Sequence, residues 1–270
     1  MKTIIKKYPV TYKFVLAILL FALALIISLV VNKGVIKQYV PYTASILLVL
    51  VTWILYKTQK QSLNEIGFNF RLRNLSFLPL GILIGAFAFF GARYLRALYT
   101  GETLELSNSI DYSNIIFAFY FILPQVATEE LLFRGYLFKK TIDVSNVIIA
   151  NILFSTLFML IHVLDTDVLS NTGMIIMLVM AIPVGHLLFA TALLKSKTIY
   201  FPIGLHLGNN WATRHLINNY EFGNSIFYIP NTVMFETWSP FITVIFLFNG
   251  FFLLVTFLIW KWDRIISILR

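Results

Sequence analysis

FVLAILLFALALIISLVV, residues 14–31, holds no charged side chain and one serine. A helix rising 1.5 Å per residue needs about 20 apolar residues to cross the hydrocarbon of a bilayer, and this stretch is nearly that long. Lys2, Lys6, Lys7 and Lys13 precede it, as they would precede a secretory signal. The run exceeds a normal signal core, and no small-residue cleavage site follows it. It reads as a retained first membrane span.

Seven further segments repeat the pattern, at 40–56, 77–97, 114–138, 146–164, 173–194, 199–217 and 240–260. The seventh is interrupted by His206, Asn209, Asn210, Arg214 and His215. The expectation is an all-α polytopic membrane protein, one transmembrane domain over 1–270, with about eight helices around a polar cavity. Short linkers make sequential helices antiparallel neighbours. The longer connections, 57–76 and 98–113, are predicted to hold interfacial turns or short helices.

Composition agrees. The 270 residues are 59% hydrophobic and 12% charged, about half the charged share of a soluble domain. No cysteine is present, which excludes disulfides, thiolate metal ligands and a cysteine nucleophile. The net charge of +9 sits in short clusters between apolar runs, so it forms no nucleic-acid-binding face. With eight spans, 16 Lys and Arg fall on the side of both termini and 5 on the other. The positive-inside rule then puts the N- and C-termini in the cytoplasm of a multi-pass cell-membrane protein.

A charge inside a spanning helix is costly and marks function by default. The fourth segment holds Glu129, Glu130 and Arg134, the fifth His162, the sixth His186, and the seventh His206 with Asn210. Glu130 and Arg134 are four apart and share a helix face; Glu129 is rotated about 100° from Glu130. One carboxylate is thereby neutralised and the other left to face a cavity. A single Glu–Arg pair usually means a structural salt bridge, and a lone histidine near a helix end an interfacial residue. His206 and Asn210 alone suggest a helix–helix hydrogen bond. Together they can line one chamber whose chemistry is hydrolysis: a Glu and a His deprotonate water, and a His and an Asn donate to the oxyanion. At 1.5 Å per residue, Glu129 lies about 15 Å above Lys139, His162 about 24 Å above Asn146 and His206 about 10 Å above Ile199, all within the bilayer but not level. Tilt, or breaks near Pro124 and Pro202, must bring them level.

The ordered set Glu129-Glu130-x-x-x-Arg134, Phe158-x-x-x-His162 and His206-x-x-x-Asn210 resembles the CPBP family, the CAAX protease and bacteriocin-processing intramembrane endopeptidases of the glutamic type. The likeness covers about 114–217, read as the catalytic core. It implies that Glu129 with His162 activates water, that His206 and Asn210 stabilise the oxyanion, and that Glu130 and Arg134 support the site. It implies no metal. A zinc held by Glu129, His162 and His206 is the alternative, although no His-Glu-x-x-His is present. The implied substrate is a membrane-associated peptide or protein with a hydrophobic segment, reached from the cytoplasmic face. Two other readings stand beside it: a non-catalytic immunity or regulatory partner protein, and a small transporter or proton relay. No pseudo-repeat supports the transporter. His186 and His215 fall outside the motif set.

Overall fold

A computed structural model of the chain describes residues 9–219, 221 and 223–268. Lys2, Lys6, Lys7 and Arg270, which contribute to the charge bias, lie outside these. The order is α1 (Pro9–Val31), α2 (Gly34–Tyr39), α3 (Thr43–Thr58), a 3-10 turn (Leu63–Ile66), α4 (Leu72–Leu75), α5 (Phe77–Thr100), β1 (Glu105–Leu106), α6 (Tyr112–Phe133), α7 (Tyr136–Val144), α8 (Val147–Val163), α9 (Thr166–Leu169), α10 (Thr172–Ser196), α11 (Tyr200–Trp211), a π turn (Ala212–Leu216), β2 (Ile217–Asn218), β3 (Phe227–Tyr228) and α12 (Trp238–Ile268). The chain is a helical membrane protein.

Every apolar segment forms a helix, but the count of eight spans is not reproduced. Five helical stretches are long and apolar enough to cross a bilayer: Val10–Val31, Leu72–Thr100, Tyr112–Val144, Thr172–Ser196 and Trp238–Arg264. Thr43–Thr58 and Val147–Val163 are apolar but shorter. The seventh segment departs most. Its α-helix runs only from Tyr200 to Trp211, about 18 Å at 1.5 Å per residue. Residues 200–208 are all buried, so α11 is an interior helix rather than a lipid-facing span. Large apolar side chains such as Leu19, Leu29, Leu83 and Ile148 are exposed on the outer faces of other helices, where lipid is the solvent that suits them.

Glycines hold α11 in the interior. Gly81 and Gly85 on α5 meet Gly204 and Gly208 on α11, two small-xxx-small pairs face to face. A Cβ on Gly85 would lie 2.0 Å from the Leu205 carbonyl oxygen, and one on Gly208 would lie 2.1 Å from that of Ile82. In lipid, where apolar burial gives no drive for helix association, such close backbone approach supplies it through dispersion. The start of α11 is fixed too. The Ile199 N–H donates to the Ile66 carbonyl at 2.8 Å, and the Thr198 hydroxyl to that of Gly67 at 3.0 Å. Gly67 has φ +64°, and a Cβ there would meet the Lys197 carbonyl oxygen at 2.2 Å, so only glycine fits. The predicted 57–76 connection thus contains a short turn and helix, one end of which anchors α11.

The 114–138 segment is also not one helix. Pro124 stays inside α6; its missing N–H frees the Tyr120 carbonyl, which accepts from the Tyr42 hydroxyl at 2.9 Å. The break comes at Arg134-Gly135, after which α7 continues. A Cβ on Gly135 would lie 2.1 Å from the Leu131 carbonyl oxygen. Irregular backbone at membrane depth is tolerated when it is buried in protein, and both Arg134 and Gly135 are buried.

The 98–113 connection forms extended pairs instead of a helix. β1 runs antiparallel to β3, and β3 parallel to β2, each two residues long. Glu102 ties this cap together: it accepts from Arg96 Nη2 at 2.7 Å and from the Val233 N–H at 2.9 Å.

Candidate active site

The break in α6 places three charged side chains together. Arg134 Nη1 donates to Glu130 Oε1 at 3.0 Å, and neither side chain has solvent exposure. Burying such a pair is costly unless each charge is matched. Phe158 of α8 and Phe189 of α10 flank the guanidinium at 4.2 and 5.1 Å, adding the attraction of ring faces for a cation. The same Glu130 Oε1 is 2.8 Å from His206 Nδ1. Glu130 thus links α6 to α11.

His206 is further held by its ring. Phe189 stacks on it with centroids 4.8 Å apart, and Phe158 meets it edge-on at 6.2 Å. Its other nitrogen, Nε2, faces Glu129 Oε2 at 3.7 Å. Glu129 Oε1 accepts from Gln125 Nε2 at 3.0 Å. Glu129 retains 14% of its side-chain surface against none for Glu130. One carboxylate is paired with arginine and fully buried, and the other keeps a small exposed surface.

His162 stands beside this group. Its Nδ1 is 2.7 Å from the Phe158 carbonyl of its own helix, so Nδ1 carries the proton and Nε2 is the nitrogen that can act elsewhere. Phe158 lies between the two imidazoles, 4.6 Å from His162 by centroid. Asn210 is one turn beyond His206 on α11, and its Oδ1 accepts from Asn209 at 3.2 Å. Glu129, Glu130, Arg134 and His206 are therefore in direct contact, whereas His162 and Asn210 flank them. Among the described residues no three His, Asp or Glu side chains converge in an arrangement able to hold a metal. Glu129, His162 and His206 do not form the zinc site that the sequence leaves open.

His186 is buried on α10, edge-on to Phe138 at 5.8 Å, with no protein partner for either ring nitrogen. His215 belongs to the extended cap, its Nδ1 2.8 Å from the Asn224 carbonyl. Gln125 and Phe189 were not singled out from the sequence. Gln125 had a signal, since it lies four residues before Glu129 and shares its helix face. Phe189 had none, because an aromatic in an apolar helix looks like any other.

Residues 111–212 match the family described as Type II CAAX prenyl endopeptidase Rce1-like. Over this segment the chain is similar to CAAX proteases of that type. The matched segment runs from the cap of α6 to the end of α11, and it contains every charged and aromatic group of the cluster just described. No curated protein and no solved structure is significantly similar to the chain.

Proposed function

We propose that the chain is an intramembrane endopeptidase that cleaves membrane-associated peptides or proteins carrying a hydrophobic segment. The observation that carries this is the 3.7 Å approach of Glu129 to His206 Nε2, beside a buried helix break within the segment similar to CAAX proteases. Glu129 takes a proton from water, and the resulting hydroxide adds to the scissile carbonyl carbon. With Nδ1 held by Glu130, His206 offers its Nε2 side to the developing oxyanion when that nitrogen is protonated, and the Asn210 amide lies one turn away to assist. Collapse of the tetrahedral intermediate expels the amine, which takes the proton back from Glu129. His162 Nε2 orients the water. Glu130 and Arg134 position His206 without touching substrate. The Lys- and Arg-rich end of the bundle faces the cytoplasm in this reading.

The test is cleavage of hydrophobic peptides by purified protein in detergent, comparing wild type with Glu129→Gln and His206→Ala. Both variants should lose at least about 10²-fold in kcat, as expected when an acid–base or oxyanion group is removed. A folded Glu129→Gln protein with wild-type turnover would refute the assignment. Retention of biological activity by both inactive variants would favour a non-catalytic partner role.

A further inference from the structure

At the Lys- and Arg-rich end of the bundle, α1, α3 and α7 enclose a cleft of about 190 Å³. Val10, Phe14 and Val144 form apolar walls, and Lys13, Tyr136 and Lys140 supply donors. The Lys140 ammonium is held over the rings of Tyr56 and Tyr136 at 5.7 and 6.0 Å. It donates to Gln61 at 3.0 Å and to Asp143 at 3.2 Å. Among the described residues Asp143 is the one acid lining the cleft, so Lys13 and Lys140 face a single carboxylate there. Gln59 Nε2 donates to the Tyr136 hydroxyl oxygen at 2.6 Å, which turns the phenolic proton toward other acceptors.

A cleft with paired ammonium groups, a hydroxyl donor and apolar walls suits an amphipathic anion. Free phosphate would use the donors and leave the walls idle. A phospholipid uses both: its phosphate takes charge-assisted hydrogen bonds, and its glycerol and first methylenes lie along Val10, Phe14 and Val144. Basic pockets between helices at the inner interface recognise anionic headgroups in this way. Tyr136 and Lys140 sit on α7, which begins directly after the Arg134-Gly135 break. We propose that this cleft binds the phosphate headgroup of an anionic phospholipid through Lys13, Lys140 and the Tyr136 hydroxyl, and that the bound lipid steadies α7 against the break that ends at Arg134.

The test is thermal unfolding of the full-length protein in phosphatidylcholine vesicles with and without phosphatidylglycerol. This readout is independent of catalysis, so the lipid site can fail while the peptidase reading stands, and the reverse. Phosphatidylglycerol should raise the melting temperature by several degrees. Lys13→Gln combined with Lys140→Gln should remove most of that rise. Lys57→Gln combined with Lys60→Gln deletes the same charge outside the cleft and should keep it. Should the first pair fail to fold, Lys13→Gln alone, at an exposed position, carries the comparison. An undiminished rise in the cleft variants, or equal loss in both pairs, would overturn the site. A matching rise from inorganic phosphate in phosphatidylcholine vesicles would overturn the lipid as its ligand.

Discussion

Replacing Gly208 by alanine should disable the candidate site without touching any of its polar groups. The added Cβ would lie 2.1 Å from the Ile82 carbonyl oxygen and 2.8 Å from the carbonyl carbon and Cα behind it. These are backbone atoms of α5 that no side-chain rotation can clear. Ordinary carbon–oxygen contact begins near 3.3 Å, so α5 and α11 must separate by about 1 Å. His206 lies between Gly204 and Gly208 on the same helix and holds Glu130 at 2.8 Å. A displacement of that size would stretch this bond beyond hydrogen-bonding range. Overpacking typically costs about 1–3 kcal/mol, and misplacing a reacting group by about 1 Å costs about 10²-fold in rate. Cleavage assays and thermal unfolding of Gly208→Ala therefore should both fall. Gly185→Ala is the control. Its Cβ meets nothing within 4 Å, and alanine in a helix interior is favoured over glycine by about 0.5–1 kcal/mol. A Gly208→Ala protein as stable and active as the wild type would show that the α5–α11 approach does not set the geometry of His206.

Tyr42→Phe removes the hydroxyl that donates to the Tyr120 carbonyl freed by Pro124, and should lower stability by about 1–3 kcal/mol in thermal unfolding. An unchanged melting temperature would mean that the carbonyl is satisfied another way. His186→Leu deletes two buried ring nitrogens that lack protein partners, so cleavage should be unchanged and stability equal or higher; a loss of turnover would bring His186 into the mechanism. The cap should be acid-sensitive. Burial pushes the Glu102 carboxyl up, but the bonds from Arg96 and the Val233 N–H, with the charges of Arg96 and Arg93, outweigh it and leave it below its ordinary value. A carboxylate depressed on folding stabilises the fold above its unfolded value and loses that contribution as pH falls through the folded one. Unfolding followed from pH 7 to 3 should show this acid limb in the wild type, and a flatter one in Glu102→Gln.

The membrane class and the position of the apolar segments were legible because hydrocarbon imposes a length and a composition that a sequence cannot disguise. The contact residues were legible because charges in lipid must find one another. Glu130, Arg134 and His206 did so through a single carboxylate oxygen. What stayed hidden depends on partners distant in sequence. Tyr42 looks like an interfacial tyrosine until the Tyr120 carbonyl, left without the Pro124 N–H, needs a donor. The repeated glycine spacing at 81, 85, 204 and 208 was visible, but only the structure shows that the two pairs face each other. The two-residue strands of the cap carry too few residues for any period to register.

The depth mismatch expected from the sequence came from choosing the wrong reference points. Lys139 is not the end of the helical arm that carries Glu129, since α7 runs on to Val144 before the turn into α8. Measured from Asn146, the cap of α8, Glu129 lies 17 residues before that turn and His162 lies 16 after it. The packing of the two strands of this hairpin bears out the symmetry. Phe138 meets Phe154 with centroids 5.6 Å apart, and Phe133 meets Phe158 at 4.9 Å. One more helical turn from Phe133 is Glu129, and one more from Phe158 is His162, so the carboxylate and the imidazole are level. Ile199 is fully buried and is bonded to the turn that ends at Ile66, so α11 starts well inside the bundle. A buried start for α11 and a helix break at Gly135 bring these side chains together, and both rest on glycines: a Cβ at Gly67 or Gly135 would meet the carbonyl oxygen of Lys197 or Leu131 at 2.2 or 2.1 Å.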